Sequence, residues 1–487
     1  MLKVFLAIGS IVVALILPGD RSPRNAADRK IDLRPCDAAG TAGRAQCGTL
    51  DVPENRASGS GRRIVLNIVV VPATGPAHAP DPVFWLEGGP GGAATQAIGP
   101  VVQQYLRGVR AARDVVFVDQ RGTGRSNPLT CDDIGESPSN LDRYFGPLFP
   151  PDSIRACRRK LEKTADLRQY TTSIAMDDLD DVREALGYRT LNLAGASYGT
   201  QAALVYMRRH GEHVRSAFLA GVVPPDFRLP LPFARASQHA LDLLLADCAA
   251  DQQCHAAFPG VKREFDAVLA RFDAGPMRVT ITDTATRQPR TVTLVRESYV
   301  EHLRLLLYTT AGARFVPVVV HQAYLGNFLP FQAVAVRYNA GAALARGMYF
   351  SITCSEDLPF ISEKEIADDT RGTFLGDRRI RAHQAACAEW PRAAVPQAFL
   401  EPIRSAVPTV FYSGDADGAT PPWLAGAAVR FLTNGRQILV PHMGHQLSGP
   451  CSWDVIRDFI DRPSVRELDA SCTAGIKRPP FASEVPE

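Results

Sequence analysis

Residues 195–199 read Gly195-Ala196-Ser197-Tyr198-Gly199, a serine with a glycine two positions to either side. A serine hydroxyl is a poor nucleophile at neutral pH. It becomes a good one when a sharp strand-to-helix turn exposes it beside a base. Such a turn strains the serine backbone and leaves no room for side chains at the flanking positions, which accounts for the glycines. The apolar run Leu191–Ala194 precedes the pentapeptide and the helix-compatible stretch Gln201–Arg209 follows it. That context separates the motif from an ordinary glycine turn holding an incidental serine.

The base that takes the serine proton is itself held by an acid, and after a turn of this kind the chain order is Ser, then Asp or Glu, then His. Ser413-Gly414-Asp415-Ala416-Asp417-Gly418-Ala419-Thr420-Pro421 follows the apolar run Val407–Tyr412, so Asp415 and Asp417 both stand where a strand-end acid belongs. His442 and His445 lie just beyond a second apolar run, Gln437–Val440. The residues alone leave both choices open. Acyl transfer also needs donors for an oxyanion, which backbone amides in a fixed turn supply. Gly88-Gly89-Pro90-Gly91-Gly92, after the run Val83–Leu86, is one source, and the Tyr198 amide is the other. A phosphate-cradling loop is the rival reading of the glycines, weakened by the lack of a Gly-Lys-Ser/Thr ending and of a following helix start.

These groups require a sheet whose strands end together. Arg62–Val71 reads as an early strand. The short runs Val83–Leu86, Val115–Val118 and Leu191–Ala194 each end in a glycine-rich turn, and 172–187 and 201–209 read as helices. Strands alternating with helices indicate an α/β fold with a mostly parallel sheet. After Gly221 the texture changes: Pro224, Pro225, Pro230 and Pro232 mark a boundary. Val261, Phe265, Val268, Leu269 and Phe272 then share one helical face, a hairpin is expected at 279–282 and 291–295, and helices continue to about Ala345. The alternating texture resumes at Val407, with a helix over 422–432. The expected organisation is a core formed by residues 36–225 and 406–487, split by a mainly helical insertion at 226–405.

The chain of 487 residues is long enough for a large core, and its net charge of +3 with no basic run gives no support for a nucleic-acid partner. Lys3 precedes an apolar run from Val4 to Leu17, too short to span a bilayer, so residues 1–18 read as a secretory signal and no stable membrane span is expected. An uncleaved anchor is the competing reading, since no clean small-x-small cleavage site follows Leu17. Ten cysteines fall in near-neighbour couples and none has Cys-x-x-Cys spacing, which favours disulfides over structural zinc. Sequential pairing is the simplest connectivity, and the chain reads as periplasmic or secreted.

With these motifs in hand, the chain resembles the prolyl iminopeptidase and tripeptidyl aminopeptidase branch of the α/β-hydrolases. Gly88–Gly91, the run Asp119-Gln120-Arg121-Gly122-Thr123-Gly124-Arg125-Ser126, Gly195–Gly199, Gly414–Pro421 and Gly444-His445 carry the resemblance, in the family's order. Tyr198, the signal and the paired cysteines are more similar to the exported tripeptidyl type. The resemblance implies Ser197, Asp417 and His445 as the triad, because the family's acid lies three residues after the strand-end glycine and its base directly follows a glycine. It implies the amides of Gly89 and Tyr198 as oxyanion donors. Glu87 departs from the family, whose prolyl members carry histidine there.

An aminopeptidase must also hold a free ammonium group, for which a carboxylate in a partly dehydrated pocket is suited. Ser351-Ile352-Thr353-Cys354-Ser355-Glu356-Asp357 resembles a stretch of the tripeptidyl branch and makes Glu356, with Asp357, the candidate anchor; a solvated acidic turn is the competing reading. The expected function is an exported serine exopeptidase acting on peptides with a free amino terminus, needing no cofactor or metal. The alternative is a carboxylesterase or other acyl hydrolase using the same triad.

Overall fold

The computed structural model describes residues 30–485 apart from 59, 77, 132–133, 135–136, 340–343 and 448; the expected signal at 1–18 lies outside the described residues. A nine-stranded sheet runs through the molecule in the order β1-β2-β3-β5-β4-β6-β7-β10-β11. The strands are β1 (Arg34–Cys36), β2 (Ala45–Pro53), β3 (Arg63–Val71), β4 (Val83–Leu86), β5 (Val115–Val118), β6 (Leu191–Ala196), β7 (Val214–Ala220), β10 (Thr409–Gly414) and β11 (Gly435–Val440). β5, β4, β6, β7, β10 and β11 are parallel to one another, while β1, β2 and β3 add an antiparallel edge. The central strands Val83-Phe84-Trp85-Leu86 and Val115-Val116-Phe117-Val118 are buried at every position, as expected where helices cover both faces of a parallel sheet. β3 alternates exposed and buried residues over its first half, as an antiparallel strand with one solvated face does.

The sequence reading missed β1, β2 and β7. Ala45–Pro53 contains glycine, aspartate and proline and lacks a β-branched run. β7 carries Arg215 and Ser216 inside its apolar run; both are tied to Asn192 of β6, so their polarity is absorbed by the neighbouring strand. The glycine loop also leads straight into helical turns, Ala94–Ala97 through Val101–Tyr105, where no helix start was expected. The run Ala-Thr-Gln-Ala-Ile-Gly-Pro is a poor helix former, and the turn is held instead by Asp119, which accepts hydrogen bonds from the Thr95 amide and hydroxyl.

Between β7 and β10 the chain forms helices, among them Phe233–Ala250, Val261–Asp273, Arg296–Leu306, Val316–Tyr324, Leu329–Asn339 and Arg378–Ala388, and one antiparallel hairpin of β8 (Met277–Thr282) and β9 (Pro289–Leu294). This stretch shares a continuous apolar core with one face of the sheet: Phe84 and Leu193 belong to the same cluster as Phe265, Phe331 and Phe350. A second core fills the opposite face, where Val115, Tyr412 and Phe459 meet. Five disulfides join Cys36–Cys47, Cys131–Cys157, Cys248–Cys254, Cys354–Cys387 and Cys451–Cys472, the sequential pairing. Among the described residues no single helix is long and apolar enough to cross a membrane.

Candidate active site

Ser197 sits between the end of β6 and the helix Tyr198–His210, with φ 56° and ψ −130°, a strained conformation for a residue with a side chain. The neighbouring glycines are required by contact. A Cβ on Gly199 would collide with the Leu86 carbonyl, and one on Gly195 would lie 2.9 Å from the Gly199 carbonyl oxygen. The turn is pinned by the Ser197 amide, which donates to Ala220 at the end of β7 (3.0 Å), and by the Thr200 hydroxyl, which donates to the Ser197 carbonyl (2.7 Å).

The next parallel strands bring the acid and the histidine to the same end of the sheet. Asp417, in the loop after β10, is fully buried. One carboxylate oxygen accepts from the amides of Ala419 (2.8 Å) and Thr420 (2.9 Å), and the other accepts from the Thr420 hydroxyl (2.7 Å). His445, in the loop after β11, places Nδ1 2.9 Å from that second oxygen and 3.1 Å from the first. The His445 amide donates to the Tyr308 carbonyl (2.7 Å), and the two rings lie 5.0 Å apart. The competing pair is elsewhere: His442 Nδ1 faces Asp247 at 3.2 Å, and the charges that act on Asp415 are those of His442, Arg478 and Asp247. The structure therefore brings Asp417 and His445 together and leaves Asp415 and His442 out.

Ser197, Tyr198, Gly88, Gly89, Ala220 and His445 all line one cavity of about 570 Å³, within the range of small-ligand sites. A Cβ on Gly88 would lie 3.0 Å from the Ser197 Cβ, so the glycine loop abuts the serine directly. Gly89 has φ +122°, a conformation that favours glycine, and the Gly92 amide closes the loop on the Gly88 carbonyl at 3.0 Å. Tyr198 is the first residue of its helix, so its amide has no intrahelical partner. Among the described residues no hydrogen bond joins the Ser197 hydroxyl to His445; a Cβ on Gly221 would lie 3.0 Å from His445 Cε1, one residue beyond the Ala220 that holds the serine amide. Glu87 also lines the cavity, accepting from the Trp85 indole at 2.8 Å.

The acidic pair divides. Glu356 accepts from the Thr172 amide and hydroxyl, both at 2.6 Å, and the same hydroxyl lies 2.9 Å from the Tyr198 hydroxyl. Asp357 lines the cavity and Glu356 does not. Both are buried, so neither is a solvated turn residue. Burial pushes the Glu356 carboxyl up to about 7 in spite of its two bonds from Thr172. Asp357 is also raised well above the ordinary carboxylate range, by burial first and then by the charge of Glu356. Thr420, Tyr308 and Thr172 were not singled out from the sequence. Thr420 alone carried a local signal, three residues after Asp417 in a turn.

Residues 81–255 match the family described as alpha/beta hydrolase fold. The chain has the α/β-hydrolase fold. The later part of the chain, residues 373–472, matches the family described as TAP-like protein. A tripeptidyl aminopeptidase of Streptomyces lividans is 30% identical over 196 residues, 37% of this chain and 36% of that protein. A serine protease of Mycobacterium tuberculosis is 27% identical over 421 residues, 78% of this chain and 77% of that protein. A proline iminopeptidase of Neisseria gonorrhoeae is 28% identical over 142 residues, 29% and 32% of the two chains. The chain thus spans about a third of the length of the tripeptidyl aminopeptidase it matches. These three relatives are peptidases by name.

Asp119 and Arg121, in the run after β5, serve as framework. Arg121 is fully buried, its guanidinium bonded twice to Asp178 (2.6 and 2.8 Å) and to the carbonyls of Glu54 and Gln169. Asp119 ties β3, through Asn67, to the turn at Thr95 behind the glycine loop.

Proposed function

We propose that this chain is an exported serine exopeptidase that shortens peptides from their amino terminus through an acyl-enzyme. The observation that carries the reading is the Asp417–His445 pair opening, with the strained Ser197, into one cavity. Ser197 Oγ attacks the scissile carbonyl while His445 Nε2 takes its proton. His445 then protonates the leaving amine, and water repeats the sequence on the acyl-enzyme. Asp417, held by three donors besides the histidine, keeps Nδ1 protonated and the ring oriented. The missing contact between Ser197 and His445 closes as substrate fills the site, as such contacts commonly tighten only in the complex. The amides of Gly89 and Tyr198 receive the oxyanion.

Asp357 is the anchor for the substrate ammonium, since it lines the cavity; Glu356 supports it from behind through Thr172 and Tyr198. Export is supported by the five disulfides, which persist in oxidising compartments. The test is hydrolysis of aminoacyl, prolyl and tripeptidyl 4-nitroanilides, each with a free and an acetylated amino terminus, beside simple 4-nitrophenyl esters. The proposal expects turnover of free-amine peptidyl amides that drops at least about tenfold on acetylation. Turnover of esters alone, indifferent to the amine, would leave a serine hydrolase and remove the exopeptidase.

A further inference from the structure

The cavity carries a charge imbalance that the reaction does not use. Arg304, Glu301 and Arg379 all line it. Arg304 is 2% exposed, Glu301 6% and Arg379 9%. Both arginines converge on the one carboxylate: Arg304 Nε and Nη2 donate to Glu301 at 3.0 and 2.5 Å, and Arg379 Nη1 donates to it at 2.7 Å. Arg379 Nη2 reaches only the neutral Tyr349 hydroxyl, at 3.2 Å, and Arg379 Nε is buried with no hydrogen-bond partner. Two guanidiniums therefore face one carboxylate, and burial alone pushes that carboxylate up; the charges of the two arginines more than offset this and hold it at about 2.

An ion pair that served only to staple the helices would need one arginine, and an uncompensated buried cation is costly. Aromatic faces hold both guanidiniums in place: Arg304 lies 4.4 Å from the Phe233 ring centre, and Arg379 lies 4.9 Å from that of Phe149. The pair is also coupled to the reacting end of the cavity. Arg304 Nη1 donates to the Tyr308 hydroxyl at 2.5 Å, and Tyr308 packs against His445. Asp357, the acid at the other part of the cavity, is acted on chiefly by the charges of Glu356 and Arg228. Glu87 is bonded to Trp85. The cavity thus has an acidic region and a separate cationic one.

We infer that Arg304 and Arg379 form a subsite for a carboxylate on the acyl part of the substrate, an Asp or Glu side chain on the amino-terminal side of the scissile bond. The inference rests on the peptide-binding reading given above and deepens it to a substrate class. The carboxylate meets the Arg379 guanidinium where it lines the cavity, and its charge offsets the surplus of the two arginines.

The test is equilibrium binding, which does not depend on turnover, to the full chain carrying Ser197→Ala. The probes are tripeptide amides in pairs, Glu-Ala-Ala against Gln-Ala-Ala, Ala-Glu-Ala against Ala-Gln-Ala, and Ala-Ala-Glu against Ala-Ala-Gln. At least one Glu peptide is expected to bind about tenfold tighter than its Gln partner, the size of a charge-assisted hydrogen bond to a buried group. Adding Arg379→Gln, which leaves the Glu301–Arg304 pair intact, is expected to bring that ratio below about threefold. Arg379→Lys, which keeps the charge and loses the fork, is expected to give an intermediate ratio and serves if the glutamine variant does not fold. Equal or unmeasurable binding of every pair overturns the subsite, as does a Glu preference unchanged by the Arg379 substitutions. Turnover of the 4-nitroanilides by the unmodified chain is read separately, so discrimination in binding without peptidase turnover would keep the subsite and remove the exopeptidase.

Discussion

At the scale of residues, two aspartates two positions apart were equal candidates by position, and the structure separates them by partners. Asp417 is fully buried with its carboxylate on His445, while Asp415 lies on the side of His442. Asp417→Asn is expected to lower kcat about 10⁴-fold, through loss of the histidine tautomer, whereas Asp415→Asn stays within about threefold. Steady-state kinetics on any turned-over substrate checks both. The buried acids give a pH dependence. The Glu356 carboxyl, raised to about 7, carries its charge only above that pH, so acidification through 7 removes negative charge from the acidic pair that would attract an ammonium at Asp357. The histidine limb is shared by all substrates and cancels in a ratio. The ratio of kcat/KM for a free-amine amide to that for an ester is therefore expected to fall more than about tenfold from pH 7.5 to 5.5; a flat ratio would remove Glu356 and Asp357 from amine binding. The serine and the strand-end acid and base were legible in the sequence because turn chemistry is local. Tyr308, Thr172 and the arginines were not, because tertiary packing brings them to the site from elements outside the motifs' own turns.

At the scale of elements, short apolar runs ending in glycine turns located β4, β5, β6, β10 and β11 to within about two residues, since strands buried on both faces need no alternation. β2 and β7 stayed hidden because their polar residues are satisfied only by neighbouring strands. The helical stretch between β7 and β10 was visible through its 3.6-residue period, but not the way it seats Asp357, Arg304 and Arg379 over the sheet ends. Cys354 lies in the turn Thr353–Asp357 and Cys387 in the helix bearing Arg379, so their bond ties the acidic and cationic walls together across 33 residues. Replacing both by alanine is expected to cost about 3–4 kcal/mol, read by urea unfolding, as loop-closure entropy predicts for that separation. An unchanged unfolding midpoint would show that packing alone joins the two elements.

At the scale of the molecule, the sheet delivers serine, acid and histidine from three separate loops to one end, and the helical stretch closes a cavity of about 570 Å³ over them. Such a division lets the sheet fix the chemistry while the helices fix what is admitted. The five disulfides, from Cys36–Cys47 to Cys451–Cys472, staple both the sheet and the helical stretch, and such bonds persist in oxidising compartments. Ser197 is the reacting group on which the proposed chemistry depends. Treatment of the full chain with diisopropyl fluorophosphate, followed by mass spectrometry of its peptides, tests this directly. The expected result is one adduct per chain, on the peptide containing Ser197, absent after Ser197→Ala and slowed at least about a thousandfold by His445→Ala. An adduct on another residue, or undiminished hydrolysis by the Ser197→Ala chain, would contradict it.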